Sequence, residues 1–425
     1  MEELSFSGEL KYKGWHIVIW HKVYCEVRGA IFSIYDLKGG KKKIEKEIPI
    51  TIHTEISTSC KGQKGRLKVK NPGEVRCHTF SGDMNLIREW AMYLRAGTFQ
   101  TTGVTMEDFE IQSVIGRGFY GKVMLCKNKK NGGLYAIKTI RKTLLIQNDD
   151  TVSIFRERNI LSQIRHPFIV SLFFAYQTKS KFYIGLEYAS GGDLFKRIRN
   201  PGIPFNDVRL YVAEIALALQ HLHNNGIIYR DLKPENVMLD ESGHIKLTDF
   251  GLAKNISETG TTKTMCGTSD YIAPEIVQNV SYSFPIDWWA LGVLTYEMCF
   301  KKTPFKDANR ANQYKRIVNE TPNFPDDTDS ITKDFILKLL EKNPQKRASL
   351  STLIDHKFFK GMNFADIKEK KISPSFIPKQ SNGKPIYFDK IFTNEEPQDS
   401  IATPQTNFSG FEYNCQVGKS FIFPV

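Results

Sequence analysis

Residues 229–236 read Tyr-Arg-Asp-Leu-Lys-Pro-Glu-Asn, and this stretch decides how the rest of the chain is interpreted. An aspartate with a lysine two residues on and an asparagine five residues on is hard to explain by packing alone. Two further motifs follow in order, Asp249-Phe250-Gly251 and Ala273-Pro274-Glu275. Asparagine and aspartate offer the oxygen ligands that hard cations prefer. The three motifs together therefore predict a functional site in this part of the chain.

A glycine-rich loop lies upstream of these motifs, at Gly116-Arg117-Gly118-Phe119-Tyr120-Gly121. The alternating stretch KVMLCKN follows it and predicts a strand, whereas a dinucleotide-binding loop would open a helix. We therefore expect the loop on a β-hairpin, where glycines let backbone N–H groups approach a triphosphate. Further on, Lys138 ends an apolar strand, where it could supply a cation for the α- and β-phosphates, and Glu157 on a predicted helix could hold that lysine. Taken alone, each of these two charges is equally explained as a solvated surface group.

Taken together, these motifs resemble the signature of eukaryotic protein kinases, with Tyr229-Arg230-Asp231 where His-Arg-Asp is commoner. The resemblance covers residues 109–359 and implies a bilobal fold that uses ATP, with Mg²⁺ as the cofactor. It implies catalytic roles for Asp231, Lys233 and Asn236, and metal binding by Asn236 and Asp249. The implied ATP-binding residues are Gly116, Gly118, Gly121, Val123, Lys138, Glu157, Glu187, Ala189 and Asp249, with Leu186, Glu187 and Ala189 at the hinge that faces adenine. Asp287 and Arg347 match structural positions of the large lobe, and Arg347 is expected to pair with Glu275.

The segment DLKPEN and Thr268 resemble serine/threonine kinases rather than tyrosine kinases. The tail is similar to that of AGC kinases, with Tyr387-Phe388-Asp389 at an active-site tether and Thr403-Pro404 at a turn motif. The residues that match a hydrophobic motif are Phe408, Phe411, Glu412 and Tyr413, and the resemblance implies that the three aromatic residues dock in an apolar groove of the small lobe beside the helix of Glu157. Glu412 stands where Akt-like tails carry a phosphorylatable residue. The alternative is a disordered, phenylalanine-rich tail.

The resemblance also implies regulation and substrate choice. Thr264 matches the phosphothreonine that an upstream kinase adds, with Arg230 and Lys254 placed to pair with it, and Thr403 is a second expected phosphosite. Ser153 stands where the family has a histidine on the helix of Glu157, which weakens the expected link between phosphorylation and that helix. The acidic positions that receive substrate arginines in AGC kinases correspond to Asp193, Glu235 and Glu297.

Residues 1–96 form a separate predicted unit of short alternating strands and one final amphipathic helix that ends at Gly97. This α+β pattern, with Trp20 and Trp90, resembles the pleckstrin-homology domain of Akt-type kinases, a β-barrel with a C-terminal helix. We expect a linker at 97–108, the catalytic domain at 109–359 and an extended tail at 360–425.

Binding of anionic lipid by the N-terminal unit is an open question. Residues 1–100 contain 17 basic and 11 acidic residues, a net charge of +6. The family's lipid-binding basic pair would fall at His21 and Val23, with Lys22 on the opposite face if the strand alternates. Basic residues that could compensate are Lys11 or Lys13, Lys41, Lys42, Lys43, Lys61, Lys64, Arg66, Lys68 and Lys70. Phosphoinositide specificity stays open, general attraction to anionic lipid is favoured, and a protein partner is the alternative.

The chain has 425 residues, of which 41% are hydrophobic, and carries 59 basic against 46 acidic side chains. This composition suits a soluble multidomain protein and excludes collagen, a coiled coil and a wholly disordered chain. Seven scattered cysteines without CxxC spacing, no signal peptide and no long apolar run favour a cytoplasmic protein with possible membrane recruitment. We expect a monomeric serine/threonine kinase that does not bind nucleic acid. The alternative is a pseudokinase adaptor in which the N-terminal domain is the functional part.

Overall fold

A computed structural model describes residues 5–13, 20–28, 31–37, 42–51, 54–61, 64–71, 73–74, 76–97, 104–379 and 383–414. Parts of three expected features lie outside these ranges: residues 14–19 before the second strand, residues 98–103 of the linker, and Lys41 of the basic run. The last residues of the tail, 415–425, also lie outside them.

The N-terminal unit is a seven-stranded antiparallel sheet followed by one helix, as the alternating pattern predicted. The strands are β1 Ser5–Lys13, β2 His21–Arg28, β3 Ile31–Asp36, β4 Lys43–Pro49, β5 Glu55–Lys61, β6 Lys64–Lys70 and β7 His78–Asp83, and the helix is α1 Met84–Gly97. Their order in the sheet is β4-β3-β2-β1-β7-β6-β5. Among the described strands, β4 and β5 are the two edges of the sheet and no pairing between them is recorded. The predicted closed barrel is therefore not observed in the described residues.

Helix α1 supplies much of the core of this unit. The helical spacing of the sequence predicts an apolar face of Leu86, Ile87, Trp90, Ala91 and Leu94; the last four are buried and Leu86 is half-buried. The helix approaches the sheet closely at Gly65, where an added Cβ would lie 2.9 Å from Ile87. Substitution there would push the helix away from the sheet.

The small lobe of the second unit is built on a six-stranded sheet, to which the tail contributes an edge strand. Its elements are β8 Phe109–Arg117, β9 Gly121–Asn128, β10 Leu134–Arg141, α2 Lys142–Gln147, α3 Thr151–Gln163, β11 Leu172–Gln177 and β12 Lys181–Glu187. The tail strand, β17 Tyr413–Asn414, pairs antiparallel with β11, so that the sheet order is β17-β11-β12-β10-β9-β8.

The large lobe is mainly helical. Its elements are α4 Leu194–Arg199, α5 Phe205–Asn224, β13 Ile227–Ile228, β14 Val237–Leu239, β15 Ile245–Leu247, β16 Lys254–Asn255, α6 Pro274–Val277, α7 Pro285–Phe300, α8 Arg310–Asn319, α9 Ser330–Leu339 and α10 Leu350–Leu353. Two tail helices follow, α11 Phe364–Lys368 and α12 Lys390–Thr393. The helical spacing of Val208, Val212, Ile215, Leu219 and Leu222 in the sequence predicts an apolar face for α5, and the burial of all five side chains confirms it. None of the described helices is both long and apolar enough to cross a membrane.

The N-terminal unit contacts the large lobe through α1. Arg88 Nε lies 2.6 Å from Glu241 Oε1, and Asn85 Nδ2 donates to the carbonyl of Lys370 at 2.9 Å. Helix α1 therefore lies between its own sheet and the catalytic unit.

Candidate active site

The loop between β13 and β14 gathers the residues of the sequence motif around one carboxylate. Asp231 is largely buried, and its Oδ2 accepts hydrogen bonds from Lys233 Nζ and Asn236 Nδ2, both at 2.8 Å. Its Oδ1 accepts from Thr268 Oγ1 at 3.2 Å. Three donors from two segments hold the carboxylate in one orientation.

Asp287, near the start of α7, gives this loop its shape. Its carboxylate accepts from the backbone N–H groups of Tyr229 at 2.9 Å and Arg230 at 2.8 Å, and it lies 2.8 Å from His223 Nε2. Arg230 adopts a left-handed φ of +68°, which a non-glycine residue keeps only when its surroundings hold it there. The structural role expected for Asp287 is consistent with these contacts.

Tyr229, which stands in place of the commoner histidine, packs edge-on against Phe250 with ring centroids 5.1 Å apart. Its hydroxyl donates to the carbonyl of Thr248. Burial raises the pKa of Tyr229 well above its usual value, so the hydroxyl remains a donor at all physiological pH values. Tyrosine thus fixes the loop against the Asp249 motif.

Lys138 on β10 joins the two lobes. Its Nζ donates to both carboxylate oxygens of Glu157 at 2.9 Å and to Asp249 Oδ1 at 3.1 Å. Burial alone would lower the pKa of Lys138, but Asp249 and Glu157 outweigh it and raise the pKa. Lys138 in turn lowers the pKa of Asp249, while burial raises that of Glu157 against the attraction of Lys138. The cluster is a cation shared by two acids.

The glycine-rich loop forms a β-hairpin turn between β8 and β9, as predicted. Gly121 is required by packing, because an added Cβ would lie 1.7 Å from the carbonyl oxygen of Thr139. Gly118 differs, since no described atom lies within 4 Å of where its Cβ would be. An added Cβ at Gly116 would make an ordinary 3.7 Å contact with Val123. Open space at Gly118 leaves room for a ligand close to the backbone.

The hinge follows β12. Leu186 and Ala189 are buried there. The side chain of Glu187 is turned away, since its Oε1 lies 2.8 Å from Lys246 Nζ and its Oε2 accepts from the backbone of Ser171 at 3.2 Å. A nucleotide at the hinge would therefore meet the backbone of Glu187 and not its carboxylate.

The three acidic residues predicted to receive substrate arginines interact with one another. Burial and the nearby carboxylates of Glu297 and Asp193 raise the pKa of Glu235. Glu297 is already engaged by the hydroxyl of Tyr271 and by Arg199, whose Nη2 lies 3.5 Å away. Asp193 caps α4 by accepting from the backbone of Lys196 at 2.9 Å. Of the three, Glu235 is thus the least satisfied by its neighbours.

Thr264 is exposed in residues 261–275, the activation segment. The two basic residues expected to pair with it, Lys254 and Arg230, each connect to it through one intervening side chain. Lys254 Nζ donates to Thr262 Oγ1 at 3.0 Å, and the Thr262 and Thr264 hydroxyls are 3.5 Å apart. Arg230 reaches the hydroxyl of Tyr282 at 3.4 Å, and that hydroxyl donates to the carbonyl of Thr264 at 2.5 Å. The segment therefore brings Arg230 and Lys254 to the same side as Thr264.

The hydroxyl of Ser153 is engaged elsewhere, because it donates to the carbonyl of Asp150, the residue before its own helix, at 2.8 Å. The sequence interpretation missed Arg156, three residues further along α3. Burial and the charge of Arg230 both lower the pKa of Arg156. Helix α3 is therefore close to Arg230 through Arg156 and not through Ser153. The signal was present as a basic residue next to Glu157, but helical charges are commonly solvated.

The tail lies along the small lobe beside α3, in the place predicted for it. Phe411 is fully buried, with its ring centroid 4.4 Å from Phe182 and 5.4 Å from Phe155. Phe408 packs on the same two rings, and Arg165 Nη2 donates to Tyr413 Oη at 3.0 Å. Aromatic burial of this kind is the main apolar contribution to such a contact.

Polar contacts of the tail were missed by sequence reasoning. Gln177 Nε2 donates to Glu412 Oε1 at 2.8 Å, and the fully buried Lys142 donates to Gln177 Oε1 at 2.7 Å and to the carbonyl of Thr406 at 3.2 Å. Asp399 lies 2.6 Å from Lys181 Nζ, whereas the expected phosphosite Thr403 is exposed. No local pattern could have paired these residues, since they come from separate elements.

Comparison with known proteins agrees with this geometry. Residues 109–359 match the family model described as the protein kinase domain. The chain is 34% identical to the RAC family serine/threonine-protein kinase homolog of Dictyostelium discoideum, over 96% of this chain and 97% of that protein. It is 35% identical to the RAC-beta serine/threonine-protein kinase of Rattus norvegicus, over 83% of this chain and 77% of that protein.

A third relative, the serine/threonine protein kinase ypkA of Aspergillus fumigatus, is 40% identical over 73% of this chain. The chain spans about half the length of that relative, 51%. The kinase-domain match and the nearly full-length similarity to a RAC homolog favour an enzyme over an adaptor. The chain belongs to the protein kinase family and is a serine/threonine kinase of the RAC/Akt group.

Proposed function

We propose that this kinase transfers the γ-phosphate of ATP to serine or threonine in proteins that carry an arginine upstream of the acceptor. The observation that carries the proposal is the contact of one lysine, Lys138, with Glu157 of the small lobe and Asp249 of the large lobe. That contact positions a cation and a carboxylate at the interface between the lobes, where phosphoryl transfer requires charge neutralisation and alignment.

The chain's own residues then divide the work. Lys138 and the open backbone near Gly118 would hold the phosphates. Asp231 would orient the acceptor hydroxyl and take its proton, and Lys233, already 2.8 Å from Asp231, would neutralise charge on the transferring group. In phosphoryl transfer the protein has little covalent chemistry to perform and acts by positioning groups and neutralising charge. The roles given to these residues would therefore be sufficient for the reaction.

The residues present suit Mg²⁺. Among the described residues, both hydrogen bonds recorded for the Asn236 side chain are donated through Nδ2, which leaves Oδ1 available for a cation. Asp249 uses Oδ1 for Lys138, and no contact of its Oδ2 is recorded among the described residues. Two oxygen donors match a cation that takes its other ligands from phosphate and water. When bound, Mg²⁺ would neutralise charge on the phosphates.

Substrate choice would depend on Glu235. A guanidinium placed beside Glu235 would offset the burial and, to a smaller extent, the repulsion from Glu297 and Asp193 that together raise its pKa. Arg199 partly neutralises Glu297, so we expect the pocket to select mainly one substrate arginine.

Regulation would combine a phosphorylation switch at Thr264 with permanent docking of the tail on the small lobe. A phosphate on Thr264 would find Arg230 and Lys254 on its own side, and an upstream kinase would supply it. Glu412 brings one negative charge to the tail without a modifying enzyme, where a phosphate would bring about 1.5 to 2. Tail docking would then be constitutive, and Thr264 would be the main switch.

The N-terminal unit would attract anionic membrane through the outer face of its sheet. Val23 is fully buried and His21 lies 3.4 Å from Glu45, so neither residue of the expected clamp is free for a headgroup. Lys22 is exposed on the opposite face and pairs with Glu9.

Strand register lines up basic side chains on that outer face. Lys11 lies opposite Lys22 on β2 and opposite Ser81 on β7, and Ser81 lies opposite Arg66 on β6. The next row joins Lys13, Thr79 and Lys68 in the same way. Throughout the described ranges, no ion pair is recorded for Lys11, Lys13, Arg66 or Lys68. Such a face suits anionic lipid, where each nearby basic residue contributes about 1 kcal/mol.

Replacing Lys138 tests the catalytic assignment. Lys138→Met should lower turnover at least about a hundredfold while the thermal unfolding midpoint changes little, because one electrostatic contact in such a site is typically worth that much. Lys127→Met on β9, where the side chain is exposed, is the matched control. Turnover above roughly a tenth of wild type would contradict the role.

Substrate choice is tested with labelled ATP and paired peptides. A peptide with arginine three residues before its serine should be phosphorylated roughly tenfold or more better than its alanine counterpart, because a charge-assisted contact is lost. Asp231→Asn should abolish both rates, and Glu235→Gln should remove the preference. As pH falls towards the raised pKa of Glu235, the wild-type KM for the arginine peptide should rise, because the carboxylate is neutralised. Equal rates on the two peptides would rule out arginine selection.

Three substitutions test regulation by comparing activities on one peptide. Thr264→Ala should lower activity strongly, Phe411→Ala should lower it severely by emptying a buried aromatic site, and Glu412→Ala should lower it partly. Ser409→Ala, at an exposed tail position, is the control. If deletion of residues 405–425 left the activity of Thr264-phosphorylated protein unchanged, the tail would have no such role.

Pelleting with anionic vesicles tests the sheet face in the full chain. Arg66→Glu with Lys68→Glu should weaken binding far more than Lys302→Glu with Lys306→Glu on the large lobe, an equal change of charge. Binding should fall steeply with salt, since exposed charges are screened within about 8 Å at physiological ionic strength. Tight, salt-resistant binding to a single polyphosphorylated inositol lipid would show that the N-terminal unit has a specific headgroup site instead.

A further inference from the structure

A segment of the tail, residues 387–395, crosses from the large lobe and hinge to the glycine-rich loop. At its start, the carbonyl oxygen of Tyr387 would lie 2.7 Å from a Cβ on Gly192, and Phe388 stacks on Tyr188 of the hinge with centroids 5.8 Å apart. Asp389 Oδ2 lies 3.6 Å from Lys196 Nζ on α4 and caps the short helix α12. The segment is therefore attached to the hinge and the large lobe before it reaches the loop.

At its other end, Glu395 contacts both sides of the glycine-rich hairpin. Arg117 Nε donates to Glu395 Oε1 at 2.7 Å and Arg117 Nη2 to Oε2 at 2.8 Å, a bidentate pair. Lys122 Nζ lies 3.3 Å from the same Oε2. Arg117 is the second residue of the loop 116–121 and Lys122 is the first residue after it. One carboxylate thus bridges the two strands that enter and leave the loop.

Within the loop, Tyr120 packs against the small-lobe core and its carbonyl accepts from the backbone of Arg141 at 3.0 Å, whereas Gly118 and Phe119 lie in more open space. Phe119 is 77% exposed, and the backbone contacts across the turn join Gly118 and Gly121 at 3.0 and 3.4 Å. A glycine-rich segment in open space loses much conformational freedom when it is fixed in one position. An external anchor would reduce that cost and keep the backbone N–H groups over the phosphates.

Charge supports the same contact. The hydrogen bond from Arg117 is the main influence that lowers the pKa of Glu395, so the carboxylate stays ionised throughout the physiological range. The neighbouring Glu396 is different, since it is exposed and its Oε2 accepts from Gln398 within the tail at 2.9 Å. Two adjacent glutamates therefore offer a matched comparison.

We propose that Glu395 is a positioning residue that holds the glycine-rich loop over the nucleotide through Arg117 and Lys122. The inference rests on the proposed use of ATP and adds a tail residue to the part of the molecule that places it. The tether acts by a carboxylate of the chain itself, without phosphorylation.

The experiment compares Glu395→Gln with Glu396→Gln in the full chain. Because exposed ion pairs contribute modestly, Glu395→Gln should raise the KM for ATP about two- to fivefold, with the KM for peptide unchanged. Amide hydrogen exchange should quicken in residues 116–122 and the thermal unfolding midpoint should stay constant. Arg117→Gln should have the same effect, and the double variant should show no more than the larger single effect. High salt should raise the KM for ATP of the wild-type protein towards that of Glu395→Gln, because salt screens the ion pair between Glu395 and Arg117.

Identical KM values for ATP and identical exchange of residues 116–122 in Glu395→Gln and Glu396→Gln would overturn the inference. Binding of Mg²⁺-free ADP, measured by calorimetry, gives a readout that does not need phosphoryl transfer. Failure of the wild-type protein to phosphorylate any peptide would overturn the proposed function, while ADP affinity and hydrogen exchange would still decide the role of Glu395.

Discussion

The shared cation at Lys138 is the constraint on which the rest of the catalytic unit depends. Glu157 is almost fully buried, and a carboxylate in that position is tolerated only with a cation beside it. Lys138 supplies that charge, so α3 must lie where Glu157 can reach β10, and Asp249 must lie where it can reach the same ammonium. The relative position of the two lobes therefore depends on the ion pair between Lys138 and Glu157 and on the contact of the same lysine with Asp249.

The tail extends this constraint. Phe155 precedes Glu157 by two residues on α3, and its ring forms part of the pocket that buries Phe411. The tail then adds β17 to the small-lobe sheet and engages the buried Lys142. Removing an aromatic anchor or a buried lysine partner would disturb the same helix that carries Glu157, because packed elements do not move independently. The small lobe is thus completed by residues more than two hundred positions away in the sequence.

Charge is distributed differently in the two units. In the catalytic unit, acids and bases are paired in the interior, as in the buried bidentate contact of Arg347 with Glu275 at 2.6 and 2.9 Å, which confirms the expected pair. In the N-terminal unit, basic side chains gather on the outer face of a sheet while α1 faces the large lobe. Paired interior charges stabilise a geometry, whereas exposed basic side chains on one face create a positive potential at that surface.

The sequence by itself determined the motifs, the strand and helix periods and the order of the units, because residue identity and local spacing carry that information. It correctly placed Lys138 beside Glu157 and the tail aromatics beside α3, through resemblance to a family. Only the tertiary structure decided that Glu187 turns to Lys246, that Lys142 is buried under the tail, and that Lys11 and Arg66 share a face. Glu395 and Arg117 are 278 residues apart, and such contacts follow from strand register and packing between distant segments, which no local pattern encodes.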